Sequence, residues 1–209
     1  MRVGVIDCGG GNVTSVVNAL THVGAAVARI EHAGAVDQCS HLVLPGVGSF
    51  PETMQRLDSR GFCNVIRAFV RSHKPLLGIC IGMQVLADRG DEFGQCRGMG
   101  LVSGSVTRID TDGAGDRLPH MGWNDVTRRN DCPLFAGLEH PTFYFLHSYR
   151  FSPAIESDVA GWCDYGDGFC AVLRRDNIFG VQFHPEKSQS DGLRLLSNFA
   201  TLSLGEWRN

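Results

Sequence analysis

Two short segments of this 209-residue chain carry side chains able to transfer an acyl group away from a leaving amine. The first, Leu76-Leu77-Gly78-Ile79-Cys80-Ile81-Gly82-Met83-Gln84, sets a thiol between two glycines, after an apolar run and before a helical one. That is the nucleophile-elbow pattern with cysteine in the place of serine. A sharp strand-to-helix turn holds the central residue in a strained conformation, and flanking glycines let backbone segments approach closely. The thiol then stands at the carboxyl edge of a sheet, where a helix N-terminus favours the thiolate and free N–H groups can bind a developing oxyanion. A lone cysteine is most often a passive core residue. The two glycines, the preceding strand and the helical run after it single out Cys80. In the second segment, Ile178–Lys187, His184 follows an apolar strand and Glu186 stands two residues on. A thiol nucleophile needs a base that takes its proton and later returns it to the amine, and the base needs an acceptor to orient it. His184 and Glu186 fit those roles, and Pro185 ends the strand and restricts the backbone between them.

The elements that would position these residues alternate short apolar runs with longer amphipathic ones, the mark of βαβ units and a parallel sheet. Val3–Ile6, Val27–Ile30, His41–Leu44 and Pro75–Ile79 read as strands, the last as a central buried one. Val13–Val23 reads as a helix entered through the glycine turn Gly9–Gly11, and Glu52–Arg71 as a helix interrupted near Gly61. The second half is richer in β: Gly104–Ile109, Gly122–Thr127, Phe143–Phe151, Val159–Cys163, Ala171–Arg174 and Ile178–Phe183, with a closing helix at Asp191–Leu202. Asp112–Asp116 and Arg128–Pro133 read as exposed loops. The expectation is one α/β domain over residues 1–209, a mostly parallel central sheet flanked by helices with extra antiparallel strands in the second half. The glycines near Gly9 do not complete a dinucleotide-binding fingerprint, because Thr14 stands at its third glycine.

Composition narrows the function classes. Hydrophobic residues make up 43% and charged residues 20%, an ordinary globular balance. A net charge of -3 gives no electrostatic drive toward nucleic acid or anionic lipid. No 20-residue apolar span and no signal-peptide order are present, so a cytoplasmic protein is expected. The eight cysteines contain no CxxC pair, so neither a zinc site nor a disulfide framework is expected, and no cofactor is called for.

With those segments stand PGVGSF at 45–50, PHMGWN at 119–124 and FYFLHSY at 143–149. The set PGVGSF, GICIGMQ and GVQFHPEKS resembles the class I glutamine amidotransferases, which have a flavodoxin-like fold. The other two motifs narrow the resemblance to the glutaminase subunits of imidazole glycerol phosphate synthases. It spans essentially the whole chain. It implies that Cys80 attacks the glutamine side-chain amide to give a glutamyl thioester and ammonia, with His184 as acid and base and Glu186 orienting it. It implies oxyanion-hole backbone at Val47 and Gly48, and a glutamine site lined by Gln84, Glu92, Ser148 and Tyr149. A carboxylate such as Glu92 can hold the substrate ammonium, and Gln84 offers both a donor and an acceptor. The implied partner is a (β/α)8-barrel cyclase subunit, forming a heterodimer through Asn12, Trp123, Tyr144 and Lys187 and receiving the ammonia to make imidazole glycerol phosphate in histidine biosynthesis. Asp7-Cys8-Gly9 departs from the family's usual Asp-Tyr-Gly, a change that bears on local packing against the partner.

Two other readings stay open on the sequence. A sister branch feeds ammonia to acetamidino-sugar synthesis for surface polysaccharides with the same hydrolytic residues. A catalytically silent activating subunit is the other, against which the intact Cys80, His184 and Glu186 speak.

Overall fold

The computed structural model describes residues 1–10, 12–112 and 116–203. Gly11 of the first glycine turn and residues 113–115 of the Asp112–Asp116 loop lie outside them. The first half runs β1 (Arg2–Ile6), α1 (Val13–His22), β2 (Ala26–Ile30), β3 (His41–Leu44), α2 (Phe50–Ser59), α3 (Phe62–Arg71), β4 (Leu76–Ile79) and the single turn α4 (Ile81–Gln84). The strands β5 (Arg89–Gly90), β6 (Cys96–Arg97), β7 (Gly104–Arg108), β8 (His120–Asp125) and β9 (Thr127–Arg128) follow. After them come β10 (Thr142–His147), β11 (Tyr149–Pro153), β12 (Val159–Cys163), β13 (Phe169–Arg175), β14 (Ile178–Val181) and α5 (Gln189–Ala200).

The main sheet has the order β2-β1-β3-β4-β14-β13-β12-β9. Its first five strands are parallel, and from β14 onward the pairings are antiparallel. A strand buried on both faces favours apolar residues throughout, which is why β4 and β14 are continuous apolar runs and β3 departs only at His41, whose ring nitrogens meet Ser40 Oγ and Leu202 O; all four residues of each strand are buried. Alternation divides them between two cores. Val3, Val5 and Val43 pack with Val16 and Leu20 of α1 and with Leu195 and Phe199 of α5. Ile6, Leu42 and Leu44 pack with Met54 and Leu57 of α2 and with Phe62, Ile66 and Phe69 of α3. The helical interruption falls at Gly61, whose φ of 72° separates α2 from α3.

Two expected strands come out differently. Gly122–Thr127 is divided at Val126 between β8, which pairs with β10, and β9, at the edge of the main sheet. The run Phe143–Phe151 is two strands broken at Ser148, because its halves pair with different neighbours: β10 with β8 in a two-stranded ribbon, β11 with β7 in a second sheet of order β11-β7-β5-β6. The helix after Cys80 stops after one turn. The carbonyls of Val85, Leu86 and Ala87, which would carry it onward, accept instead from Met99, Leu101 and Gly100, at 2.8–2.9 Å.

The chemistry follows from the adjacency of β4 and β14. They pair in parallel with Gly78 opposite Gly180 and Ile79 opposite Val181, so residues 80 and 182–186 leave the same edge of the sheet side by side. Cys80 N–H closes the join by donating to Val181 O at 2.7 Å.

Candidate active site

Cys80 has φ 54° and ψ −114°, a conformation that a residue with a side chain reaches only at a cost of about 1–3 kcal/mol. The surrounding packing enforces it. A Cβ on Gly82 would lie 1.9 Å from Leu44 O, and one on Gly78 would lie 2.6 Å from Gly82 O. Both glycines therefore let the end of β3, the end of β4 and the start of α4 close on one point. The Cys80 residue is 7% exposed and stands at the start of α4, which is a single turn.

His184 reaches the same point from β14. Its backbone N–H donates to Tyr144 O at 2.9 Å and its carbonyl accepts from Ser188 Oγ at 2.7 Å, while Tyr144 N–H donates to that same Oγ at 3.0 Å. The loop is thus stitched to β10. His184 Nδ1 lies 2.9 Å from Glu186 Oε1, and the Glu186 side chain is 1% exposed. Asn12, at the entry to α1, donates its Nδ2 to the same Oε1 at 2.9 Å. Glu186 Oε2 takes no hydrogen bond from the described residues. Burial by itself would lower the His184 pKa. Hydrogen bonds to the Cys80 sulfur and to the Glu186 carboxylate, with the negative charge of each, outweigh burial and raise it to about 10. The arrangement keeps a proton on the imidazole beside the Cys80 sulfur, where a leaving amine could take it.

These groups open into a cavity of about 280 Å³. Val47, Gly48, Cys80, Gln84, Glu92, Ser148, Tyr149, His184 and Lys187 all border it, together with Ile81, Pro119, Leu146 and His147. Gln84 Nε2 donates to Tyr149 O at 2.8 Å and to Gln182 Oε1 at 3.0 Å, while its Oε1 accepts nothing from the described residues. Glu92 Oε2 accepts Phe50 N–H at 2.7 Å, capping α2 just after the PGVGSF loop where the Ser49 side chain makes no cap. Gly48 has φ 109°, so this loop uses a conformation that glycine adopts freely.

The family profile of class-I glutamine amidotransferases matches residues 4–202. The chain belongs to the class I glutamine amidotransferase family. It is 41% identical over 208 residues to the imidazole glycerol phosphate synthase subunit HisH of Desulfitobacterium hafniense, covering 99% of this chain and 95% of that protein. The subunit of the same name from Syntrophotalea carbinolica is 42% identical over 203 residues, covering 95% of this chain and 98% of that one. Among solved structures, a glutamine amidotransferase crystal structure aligns with TM-score 0.74 at 21% identity, covering 96% of this chain and 99% of that chain. PurLQS from Thermotoga maritima aligns at 0.75 and 20% identity, over 95% and 96%. At those identities the two structures speak for the fold alone.

Around this amidotransferase site, three of the four residues expected to meet a partner form one surface patch. Trp123, 46% exposed and so not core, pairs across the ribbon with Tyr144, with ring centroids 6.1 Å apart. Lys187 Nζ lies 5.7 Å from the Tyr144 ring centroid and also borders the cavity. Asn12 is different, its amide being spent on Glu186. Sequence reasoning passed over Ser188, Gln182 and His147. Ser188 and Gln182 lie within GVQFHPEKS and His147 within FYFLHSY, so the motifs contained them, but their contacts depend on strand pairing. His147 Nδ1 lies 2.8 Å from Tyr149 O and its Nε2 lies 3.1 Å from His120 Nδ1. Burial lowers the pKa of His147 to about 3 and of His120 to about 4, so both stay neutral.

Proposed function

We propose that this chain, as one domain, is the glutamine-hydrolysing subunit of an imidazole glycerol phosphate synthase, with Cys80 as nucleophile, His184 as acid and base, and Glu186 as its orienting carboxylate. The observation that carries this reading is the register of β4 against β14, which delivers a strained thiol and a buried His–Glu pair to one cavity. Glutamine enters with its α-ammonium toward Glu92 and the free Gln84 Oε1, and its side-chain amide over Cys80. Attack by sulfur breaks the carbonyl π bond, and backbone N–H groups of the Val47–Gly48 loop receive the oxyanion. Collapse breaks the C–N bond as His184 gives its proton to nitrogen, leaving ammonia and a glutamyl thioester. Acylation removes the thiolate charge, so the hydrogen bond and charge that Cys80 contributed to the high His184 pKa are lost. His184 then takes a proton from water, which attacks the thioester and releases glutamate and the thiol.

Glutamine hydrolysis in histidine biosynthesis is what the synthase names of the two HisH relatives above support. Those names make them subunits of a larger assembly, and for this chain the partner is a cyclase with a (β/α)8 barrel that takes up the ammonia. The patch of Trp123, Tyr144 and Lys187 is its docking surface, with Ser148 and Tyr149 completing the glutamine site. No helix of the described residues is long and apolar enough to cross a membrane; the assembly works in the cytoplasm without a nucleic-acid or membrane partner. The test is growth of a histidine auxotroph lacking this subunit, with the cognate cyclase supplied. The wild-type chain restores growth and Cys80→Ala does not. Failure to restore growth while restoring acetamidino-sugar synthesis in a matching strain would move the chain to the polysaccharide branch.

A further inference from the structure

We propose that Gln182 is a further catalytic residue, a hydrogen-bond donor to the Cys80 sulfur whose direction is fixed by a relay starting at the Tyr149 carbonyl. The inference rests on Cys80 being the nucleophile. Since Ile79 pairs with Val181, the next residues on the two strands, Cys80 and Gln182, come out beside one another. Gln182 N–H donates to Ala171 O at 3.0 Å, so its backbone is held by β13. Its side chain is 0% exposed, and a buried amide must satisfy both a donor and an acceptor inside the protein.

The orientation of that amide is deduced from its partners. The Tyr149 carbonyl can only accept, so the group of Gln84 that meets it at 2.8 Å is NH2. The same NH2 faces Gln182 at 3.0 Å, so Gln182 must turn its oxygen there. Its own NH2 is then aimed at Cys80 Sγ, 3.8 Å away, within hydrogen-bonding reach of sulfur. On another side the sulfur lies 4.0 Å from Leu146 O, which suits a thiol S–H and repels a thiolate. Gln182 supplies the opposite preference: a neutral donor that stabilises the charged sulfur and stays in place after His184 has given up its proton. Its partner Gln84 borders the glutamine cavity, so the relay also joins the substrate site to the nucleophile.

Two variants separate this role from packing. Gln182→Met keeps the length and removes the donor. Gln182→Glu keeps an oxygen for Gln84 and removes the donor from sulfur. The titratable and charged groups around the sulfur are His184 with Glu186 behind it, His147 at the end of β10, Glu92 beside β5, and Lys187. None is changed in either variant. The experiment measures the rate of Cys80 alkylation by iodoacetamide as a function of pH, read on the Cys80 peptide by mass spectrometry, and kcat and KM for glutamine in the assembled synthase. Losing one hydrogen bond to a charged group moves the alkylation midpoint up by about one pH unit, a loss of about tenfold in thiolate below it. The Glu variant, which adds a like charge, moves at least as far. In both, kcat falls about tenfold or more, and KM in the Glu variant stays within about twofold. An unchanged midpoint in the Glu variant, or a loss confined to KM, overturns the proposal, and if the Met variant does not fold the Glu variant decides alone. The nucleophile assignment is read separately: wild-type inactivation by iodoacetamide that does not track Cys80 modification sinks that reading and leaves the Gln182 midpoint as its own measurement.

Discussion

Replacing Glu186 by Gln should cost less than loss of a triad carboxylate usually does, and Asn12 is the reason. In a Cys-His-acid or Ser-His-acid site, exchanging the acid for its amide removes a charge and also lets the amide NH2 turn toward the histidine, which forces the wrong tautomer; together these cost about 10⁴ in kcat. Here Asn12 Nδ2 and His184 Nδ1 meet on one oxygen, each at 2.9 Å. With the Asn12 amide kept in its present orientation, Nδ2 can only donate, so the glutamine variant is expected to keep its oxygen toward both and to preserve the tautomer. What remains is loss of the charge, since the acceptor is retained. An opposite charge next to a titratable group is worth about 1–3 pKa units, so the fall in kcat should be about 10²-fold, within 10–10³. Adding Asn12→Leu frees the amide to flip, and the double variant should drop to about 10⁴. The assay is kcat in the synthase at saturating glutamine and saturating partner, arranged as a double-mutant cycle in which the two changes are strongly non-additive. A 10⁴-fold loss in Glu186→Gln with Asn12 intact, or simple additivity, would refute the reasoning.

Other consequences are simpler to state. Trp123→Ala should raise the Kd of the partner complex about 30-fold or more, as for an aromatic anchor worth about 2 kcal/mol, while hydrolysis by the isolated chain stays within about twofold; titration calorimetry shows it. Gly82→Ala drives a methyl to 1.9 Å from Leu44 O, where only backbone can move. It should lose at least about 3 kcal/mol, about 6–12 °C in Tm, and an unchanged melting curve would contradict the close-packed elbow. Stability should fall with acid below pH 6.5. The buried imidazoles of His120 and His147 hold folded pKa values near 4 and 3, so from 6.5 downward the unfolded chain binds protons that the folded one refuses. His120→Phe, which keeps a ring stacked against Phe145 and Tyr165, should flatten that decline; an equally steep one would place its origin elsewhere.

What could be read in the sequence was whatever sits next to its own strand. Cys80 between Gly78 and Gly82, and His184 two residues from Glu186, announce an elbow and a base because each local pattern is a complete structural statement. Gly61 announced the break between α2 and α3 for the same reason. The misses have non-local causes. The sequence set no end for the helix after Cys80, which stops where amides from residues 99–101 take its carbonyls, and nothing in Val85–Ala87 carries that information. Ser148 divides an apolar run that alternates correctly throughout, because its two halves belong to different sheets. Asn12 lies 174 residues from Glu186 in the chain, so no spacing argument could join them. Gln182 became legible once the register of β4 against β14 was known.

The most direct test assays Cys80→Ala in the assembled synthase twice, once with glutamine and once with an ammonium salt as nitrogen source. Glutamine-dependent product should fall by up to about 10⁶-fold while ammonia-dependent product stays near the wild-type rate. Glutamine-dependent synthesis at close to the wild-type rate in that variant would contradict the assignment of Cys80 as nucleophile.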